Sequence, residues 1–241
     1  MFVTLSATPI PVWFYVGWAI VVIAGMIARA VRKPLHLWAL PTTATLVTCT
    51  AIMWQFPYYR APRLPTHPDD TFYLIGDSIS AGIGTRDITC WPQLIQQQYR
   101  VNVVDLSFGG ATVQSSLQRT VKIADDTHLV FLEIGGNDVL GRTSLPDFET
   151  SLDTLLKTVC RPQRTVVMLE IPLPPFCSDY GSIQRRLARR FGVILIPRRF
   201  FADVLTGAQA TLDGIPLSQQ GHEKMTRMVG QFLSPDFATA H

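Results

Sequence analysis

The sequence predicts a doubly wound α/β domain with a parallel five-stranded sheet over residues 71–236, preceded by an N-terminal region of different composition. Three observations lead to this prediction. Short apolar runs alternate with helical patterns after residue 71, two long uncharged stretches lie within residues 1–57, and residues 1–68 contain five basic residues but no acidic one. A chain of 241 residues has room for one domain of ordinary size and such an appendage.

Five apolar runs have the composition of buried strands: FYLIG (72–76), VNVVDL (101–106), LVFLEI (129–134), TVVMLEI (165–171) and VILIP (193–197). Helical patterns separate and follow them, near 91–99, 112–123, 146–160, 181–191 and 218–233. Nearly continuous apolar strands that alternate with helices indicate a parallel sheet covered on both faces. Binding sites of such domains gather at the carboxyl ends of the strands, so we expect the functional residues there.

The N-terminal region, residues 1–57, is predicted to form two transmembrane helices. Residues 10–28 carry no charge and are long enough to cross the hydrocarbon core of a bilayer as a helix. The second uncharged stretch, 35–57, contains Pro41 and several threonines and is the weaker candidate. A cleaved signal peptide is the alternative, but no basic segment precedes the first apolar run and a second apolar run follows it.

The basic segment RAVRK, residues 29–33, lies between the two uncharged stretches. Basic loops are retained on the cytoplasmic side, so we expect both the N-terminus and the domain on the other side. The sequence therefore predicts a cell-membrane protein whose domain is periplasmic or extracellular. Residues 58–70, which hold Pro62, Pro65 and Pro68, are predicted to form a semi-rigid Pro-rich linker.

The charge and cysteine content exclude some classes of partner. Residues 69–241 contain 16 basic and 18 acidic residues, and a body of slightly negative charge is a poor partner for nucleic acid. No CxxC or Cys/His spacing indicates zinc, so no metal site is expected. Cys90, Cys160 and Cys177 allow one disulfide in an oxidising compartment, without indicating which pair.

Three groups of polar and small residues follow successive predicted strands. GDS at 76–78 places a serine at a strand-to-helix turn, and GG at 109–110 follows the second strand. GGND at 135–138 follows the third strand and supplies the Asn137 amide. A hydroxyl, unobstructed backbone N–H groups and a side-chain amide at one edge of a sheet are the donors that an oxyanion hole requires.

These blocks resemble the SGNH (GDSL-type) serine hydrolases, in particular their bacterial periplasmic thioesterase/lysophospholipase branch. The resemblance rests on GDSISAG at 76–82, Trp91-Pro92, GGAT at 109–112 and the Gly135-x-Asn137-Asp138 block, and it extends over residues 72–233. It implies a flavodoxin-like sheet and no metal or organic cofactor. By position it implies Ser78 as nucleophile, an oxyanion hole made by the Ser78 and Gly110 N–H groups with the Asn137 amide, and Asp213 as triad acid.

The last block departs from the family pattern. A histidine is expected three residues after Asp213, but Pro216 stands there, and proline has neither a proton acceptor in its side chain nor a backbone N–H. His222 is the nearest histidine in sequence and would lie in the first turn of the last helix if Ser218 caps that helix. Either His222 serves as the base, or it is a structural residue and the base is absent.

The sequence as a whole predicts a membrane-anchored serine hydrolase that cleaves carboxylic esters or thioesters and is impaired by Pro216. Its expected substrate is a small acyl ester or a lipid-like molecule. An acyltransferase that acts on an envelope polymer and a non-catalytic binding domain are the alternatives.

Two further features of the sequence are a group of arginines near residue 187 and two glutamates within apolar strands. The arginines of QRRLARRF (184–191) are predicted to form one stripe that is either solvated or in contact with anionic headgroups. Glu133 and Glu170 stand in apolar strands, but the sequence assigns no chemistry to them.

Overall fold

The computed structural model describes residues 12–30, 39–55, 62, 64, 71–82, 88–99, 101–174, 177–206 and 217–232. The chain divides into two compact units. One comprises Met1–Arg60 with Pro174–Asp179, and the other comprises Ala61–Leu173 with Tyr180–His241. Each unit is considered by itself.

The N-terminal unit contains two helices, α1 (Val12–Ala30) and α2 (Ala39–Gln55), which pack against each other. The indole Nε1 of Trp18 donates a hydrogen bond to Thr48 Oγ1 at 3.3 Å across this contact. Within α2, Thr50 Oγ1 donates to the Leu46 carbonyl at 2.8 Å. The threonine hydroxyl thus has its hydrogen-bond partner within the same helix, so α2 accommodates threonines in an otherwise apolar segment.

No helix among the described residues is both long enough and apolar enough to cross a membrane. Helix α1 has 19 residues and includes Arg29, and α2 has 17 residues. At 1.5 Å per residue α2 extends about 25 Å, which is shorter than a hydrocarbon core of about 30 Å. Compared with the predicted ranges 10–28 and 35–57, α1 begins and ends two residues later and α2 lies within the second range. Neither helix meets the requirement for a span.

The second unit is built on one parallel sheet, as predicted. Its strands are β1 (Thr71–Gly76), β2 (Asn102–Asp105), β3 (Leu129–Glu133), β4 (Thr165–Leu169) and β5 (Ile194–Ile196). They lie in the order β2-β1-β3-β4-β5, and every neighbouring pair is parallel. This is the doubly wound order of flavodoxin-like domains, in which the chain reverses its direction of winding between β1 and β3.

The helices of this unit are α3 (Ser78–Ala81), α4 (Trp91–Tyr99), α5 (Val113–Ser116), α6 (Gly136–Leu140), α7 (Leu145–Val159), α8 (Ser178–Phe191), α9 (Arg198–Thr206) and α10 (Gln219–Gly230). Helix α10 packs against α4 and α9, and α5 packs against α7. Right-handed crossovers place α4 on one face of the sheet and α5, α7 and α8 on the other, because the chain steps in opposite directions from β1 and from β2.

The main hydrophobic core lies between the sheet and the helices α4, α9 and α10. Alternate residues of the strands, such as Phe72, Phe131 and Val167, point into it and meet Trp91 and Met225. This alternation follows from the period of two residues along a strand. The same core contains Leu64, whose N–H donates to the Phe232 carbonyl at 2.8 Å. Leu64, which falls in the predicted 58–70 linker, is thus a core residue.

One predicted helix differs from the structure, and one helix was not predicted. The helical pattern at 112–123 forms only one turn of α-helix in α5, followed by a 3₁₀ helix over Leu117–Lys122. The helix that was not predicted is α9, which begins at Arg198. Arg198 is in fact only 2% exposed and is held by a buried acid.

That acid is Glu170, which directly follows β4 and is fully buried. Its Oε1 accepts from Arg185 Nε at 2.5 Å and from Arg198 Nη2 at 2.6 Å, and its Oε2 accepts from Arg185 Nη2 at 3.1 Å and from the Arg198 backbone N–H at 3.0 Å. Burial by itself raises the pKa of Glu170, but the charges and hydrogen bonds of Arg198 and Arg185 outweigh it, so the pKa lies below its ordinary value.

The prediction that all four arginines of α8 share one exposed stripe is therefore wrong for Arg185. Arg185 points into the protein, whereas Arg186 and Arg190 form exposed ion pairs with Glu149 at 2.6 Å and Asp153 at 2.9 Å on α7. Consecutive residues of a helix point in different directions, so Arg185 and Arg186 have different surroundings. Their acidic partners, Glu170 and Glu149, show which arginine is buried and which is exposed.

We expect Glu170→Ala to lower the free energy of unfolding by about 3–5 kcal/mol, because it leaves two buried guanidinium groups without their shared carboxylate. Urea denaturation of the full chain near neutral pH measures this change. Asp125→Ala is the matched control, since it removes a carboxylate from the exposed pair with Arg161 and should change stability little. Equal effects of the two substitutions would contradict a structural role for the buried cluster.

Candidate active site

Three of the predicted site residues follow three neighbouring strands. Ser78 comes two residues after β1 and Asn137 follows β3, on the two strands between which the winding reverses. Gly110 lies in the loop after β2, the other neighbour of β1. The carboxyl ends of parallel strands meet at one edge of the sheet, so the fold places all three segments at its usual binding edge.

Ser78 begins α3 and is 8% exposed. Asp77 caps this helix, because its Oδ1 accepts from the Ile79 N–H at 2.9 Å. The turn begins at Gly76, where a Cβ would lie 2.7 Å from Ser107 Oγ and from Ser80 Oγ. Only glycine fits at this approach of three segments, and the serine is thereby held in a sharp strand-to-helix turn.

Gly110 lies in a turn in which the Ala111 N–H donates to the Phe108 carbonyl at 3.3 Å. Its φ of +73° is in the left-handed region, which glycine adopts without a steric penalty. Gly110 is exposed, and a Cβ placed there would meet no atom within 4 Å. The space beside its backbone is therefore open to a substrate atom.

The Asn137 amide connects these loops. Its Nδ2 donates to the Ala111 carbonyl at 2.9 Å and to Asp77 Oδ2 at 3.3 Å. Ala111 is the neighbour of Gly110 in the chain, and Asp77 is the neighbour of Ser78. The structure thus brings together the segments that carry Ser78, Gly110 and Asn137.

The adjacent residue, Asp138, holds the same loop from the other side. Its Oδ2 accepts from the Val113 N–H at 2.9 Å, and the residue is 1% exposed. Burial raises the pKa of Asp138, and the hydrogen bond from Val113 opposes that rise. Asp138 therefore stabilises the loop.

A buried carboxyl pair lies next to Ser78. Glu133, the last residue of β3, is 2% exposed, and its Oε2 accepts from Ser80 Oγ at 2.8 Å and from the Asp77 N–H at 3.3 Å. Burial, followed by the charge of Asp77, raises the pKa of Glu133 well above its ordinary value. Burial also raises the pKa of Asp77 to about 6.

The hydrogen bonds continue from this pair to His222. Trp91 Nε1 donates to Ser80 Oγ at 3.1 Å, and the Trp91 backbone N–H donates to His222 Nδ1 at 3.2 Å. His222 lies in the first turn of α10, which Ser218 caps as predicted, and it is 1% exposed. Burial lowers the pKa of His222 to about 4. A histidine that is buried, neutral and an acceptor from a backbone N–H has the contacts of a structural residue.

The other two predicted site residues, Asp213 and Pro216, lie outside the described residues. No group of His, Cys, Asp and Glu side chains suited to a metal ion occurs in the part of the chain that the structure describes. The four cysteines, all described, are free thiols.

Residues 74–224 match the GDSL-like Lipase/Acylhydrolase family, and the match covers more than half of the chain. The chain belongs to this family. The resemblance to SGNH (GDSL-type) hydrolases that the sequence motifs indicate is thereby confirmed, and Ser78, Gly110 and Asn137 all lie in the matched range.

Individual relatives show the same similarity. The Thioesterase 1/protease 1/lysophospholipase L1 of Escherichia coli (strain K12) is 29% identical over 137 residues, which are 53% of this chain and 66% of that protein. The chain thus spans slightly less than two thirds of this relative. Esterase TesA of Pseudomonas aeruginosa is 26% identical over 179 residues, which are 68% of this chain and 88% of that protein. A crystal structure of TesA has a TM-score of 0.61 at 25% identity and covers 69% of this chain and 99% of its own.

Sequence reasoning missed the polar network around the carboxyl pair. Glu133 stood out as an acid in an apolar strand, but nothing in the sequence indicated that Asp77, Ser80 and Trp91 surround it. One signal could have indicated this network. Asp77 and Ser80 are three residues apart, about one turn of helix, and they follow β1, which is the neighbour of the strand that ends with Glu133.

We expect the His222 imidazole to titrate with a midpoint near 4 in the folded protein. The unfolded chain binds this proton more readily between pH 4 and the ordinary value of 6.5, so the stability is fully present above 6.5 and falls as the pH drops through this window. NMR titration of the imidazole Cε1–H measures the midpoint. His222→Asn, which keeps an acceptor for the Trp91 N–H, should remove this part of the pH dependence. A midpoint near 6.5 would contradict the buried, neutral assignment.

Proposed function

We propose that this chain is a serine hydrolase of carboxylic esters or thioesters, with Ser78 as nucleophile. The observation that carries the proposal is the Asn137 amide, which joins the residue before Ser78 to the residue after Gly110. A nucleophile and two sources of N–H donors at one sheet edge are the requirements for acyl transfer.

In the proposed mechanism the Ser78 Oγ attacks the acyl carbonyl carbon while a base removes the hydroxyl proton. The carbonyl oxygen becomes an oxyanion and receives hydrogen bonds from the Ser78 and Gly110 N–H groups and from Asn137. The 3.3 Å bond from Asn137 to Asp77 is the weaker of its two bonds and is the one that the oxyanion would replace. The alcohol or thiol then leaves, and water releases the acyl group from Ser78.

The base is the missing component of this mechanism. Asp213 would be the triad acid, but Pro216 occupies the expected position of the histidine. The pKa of His222 is about 4, and a general base is most effective when its pKa lies near the working pH. We therefore propose that the chain is strongly impaired and that His222 does not replace the missing histidine.

A small acyl ester or a lipid-like acyl ester is the proposed substrate. The names of the relatives, thioesterase, lysophospholipase and esterase, support this class. Pro216 favours one second candidate, in which the domain binds such a molecule at the open space beside Gly110 without cleaving it.

We also propose that the N-terminal helices contact a membrane and that the hydrolase domain lies on its non-cytoplasmic side. The described helices alone do not meet the requirement for a span, so this proposal rests on the uncharged stretches 10–28 and 35–57 and on the RAVRK segment. Large apolar side chains of the two helices are exposed, which is typical of surfaces that meet lipid or another apolar partner. They are Val16, Trp18, Ile20, Ile23, Met26, Ile27, Leu46 and Met53.

We expect Pro216→His to raise the rate of short acyl-ester hydrolysis by about 10²–10⁴-fold, the usual contribution of a general base. Hydrolysis of p-nitrophenyl acetate and labelling of Ser78 by a fluorophosphonate measure the gain in the full chain. Ser78→Ala in the rescued protein is the control and should abolish both signals.

His222 variants decide between the two sources of a base. His222→Asn keeps the acceptor for the Trp91 N–H and should leave the hydrolysis rate of the unaltered chain unchanged. If His222 were the base, every substitution of His222 would lower this rate. A fast unaltered chain that His222→Asn inactivates would show that the histidine has moved. No gain from Pro216→His would favour the binding domain.

For the membrane proposal, a reporter fused after His241 should be active only on the non-cytoplasmic side. A matched fusion after Lys33, in the basic segment, should show the opposite location. Cytoplasmic activity of the fusion at His241 would refute the proposed orientation.

A further inference from the structure

We propose that Glu133 is a positioning residue: it remains a neutral carboxylic acid beneath the Ser78 turn and donates a hydrogen bond to the Asp77 carboxylate. Asp77 in turn holds the Ile79 N–H and the Asn137 amide. This inference rests on the proposed role of Ser78 and adds to it a residue outside the nucleophile, the oxyanion donors and the triad.

The acceptors and donors around the pair indicate where the proton lies. Glu133 Oε2 already accepts two hydrogen bonds, from Ser80 Oγ and from the Asp77 N–H. Both oxygens of Asp77 also accept, Oδ1 from the Ile79 N–H and Oδ2 from the Asn137 amide. The bond from the Asp77 N–H to Glu133 Oε2 brings the two buried residues side by side, and the charge of Asp77 helps to raise the pKa of Glu133. A proton on Glu133 Oε1, directed at Asp77, removes one of the two adjacent negative charges and leaves all four of these hydrogen bonds intact.

The charges around the pair also favour one shared proton. None of the ion pairs in the described part of the chain involves Glu133 or Asp77. Asp138 on α6 adds negative charge near Asp77, while Ser80, Trp91 and Asn137 contribute neutral donors. His222 on α10, beyond Trp91, is neutral near pH 7. Two adjacent buried carboxylates without a cation repel each other, so one of them retains a proton.

The pair couples protonation to the geometry of the serine turn. A neutral Glu133 donates a hydrogen bond to Asp77. Asp77 in turn accepts from the Ile79 N–H at the start of α3 and from the Asn137 amide. When the second proton leaves at high pH, the attraction becomes repulsion between two buried charges. The raised pKa values mean that the folded protein binds more protons than the unfolded chain above the ordinary carboxyl range, so stability falls as the pH rises through this window.

Two substitutions of Glu133 separate its neutral form from its charge. In Glu133→Gln the amide oxygen can accept from Ser80 and the Asp77 N–H, and the amide nitrogen can donate to Asp77. Glu133→Leu has a similar volume but removes every one of these hydrogen bonds. Glutamine therefore mimics the protonated acid, and leucine tests the loss of the network.

The first measurement detects the neutral acid directly. We expect an infrared difference spectrum between the unaltered chain and Glu133→Gln at neutral pH to show the C=O stretch of a protonated carboxylic acid. The second measurement is an NMR pH titration of the Ile79 N–H and the Asn137 side-chain amide. Their resonances should remain at native positions in Glu133→Gln, shift in Glu133→Leu, and move at high pH only when Glu133 is present.

The third measurement is the rate of fluorophosphonate labelling at Ser78, in the unaltered chain and with Pro216→His. Glu133→Leu should reduce it by about tenfold or more, the scale expected when a reacting group is displaced, and Glu133→Gln should retain it. Val167→Ala in the core of β4 is the control for destabilisation alone and should leave the labelling rate of the folded protein unchanged.

The outcomes distinguish this inference from the proposed function. The positioning role would be overturned if no carboxylic acid band appeared, or if the Ile79 and Asn137 resonances did not shift in Glu133→Leu. Either result would hold whether or not Ser78 reacts. Absence of labelling at Ser78 in all chains would overturn the proposed function, while the infrared and NMR measurements would still decide the state of Glu133. A Glu133→Gln variant that behaves like Glu133→Leu would show that the charge, not the neutral acid, is required.

Discussion

The Asn137 amide is the hydrogen-bonding group on which the candidate site depends. It donates to the loop after β2 and to the turn after β1, while its own segment follows β3. The sheet sets the distance between these three segments, since β2, β1 and β3 are neighbours. One planar amide is hydrogen-bonded to both loops. The relative positions of Ser78 and Gly110 are therefore set by the sheet and by this amide, and not by the loops alone.

Beneath this edge the protein buries carboxyl groups in two different ways. Glu170 is matched by two arginines and keeps its charge, whereas Glu133 and Asp77 have only neutral donors and each other. The first arrangement ties β4 to α8 and α9 and serves stability. The second lies under the serine turn and makes the local geometry depend on protonation. The same residue type at the end of neighbouring strands thus has opposite electrostatic roles.

The sequence predicts the sheet well because its buried strands are short, apolar and separated by helical patterns. It also predicts that the segments of Ser78, Gly110 and Asn137 lie at one edge of the sheet, because each follows a strand. It fails where tertiary partners decide the outcome. Arg198, the first residue of α9, is buried because it pairs with Glu170, and nothing in the sequence joins these two residues. His222 could not be assigned from sequence alone, since burial lowers its pKa and its bond comes from Trp91, 131 residues away. In the N-terminal unit, α1 is shifted by two residues from the uncharged stretch 10–28 and includes Arg29, and α2 is shorter than the stretch 35–57.

Gly76 has a consequence for how the site can vary. A single methyl group at this position would lie 2.7 Å from both Ser107 and Ser80 and so would push apart the ends of β1, the loop after β2 and the turn with Ser78. The space beside Gly110 is open, but its φ of +73° strains any residue with a side chain there. Both glycines therefore resist substitution, Gly76 because a side chain has no room and Gly110 because of its backbone conformation, and changes in substrate preference have to arise at other residues around the serine.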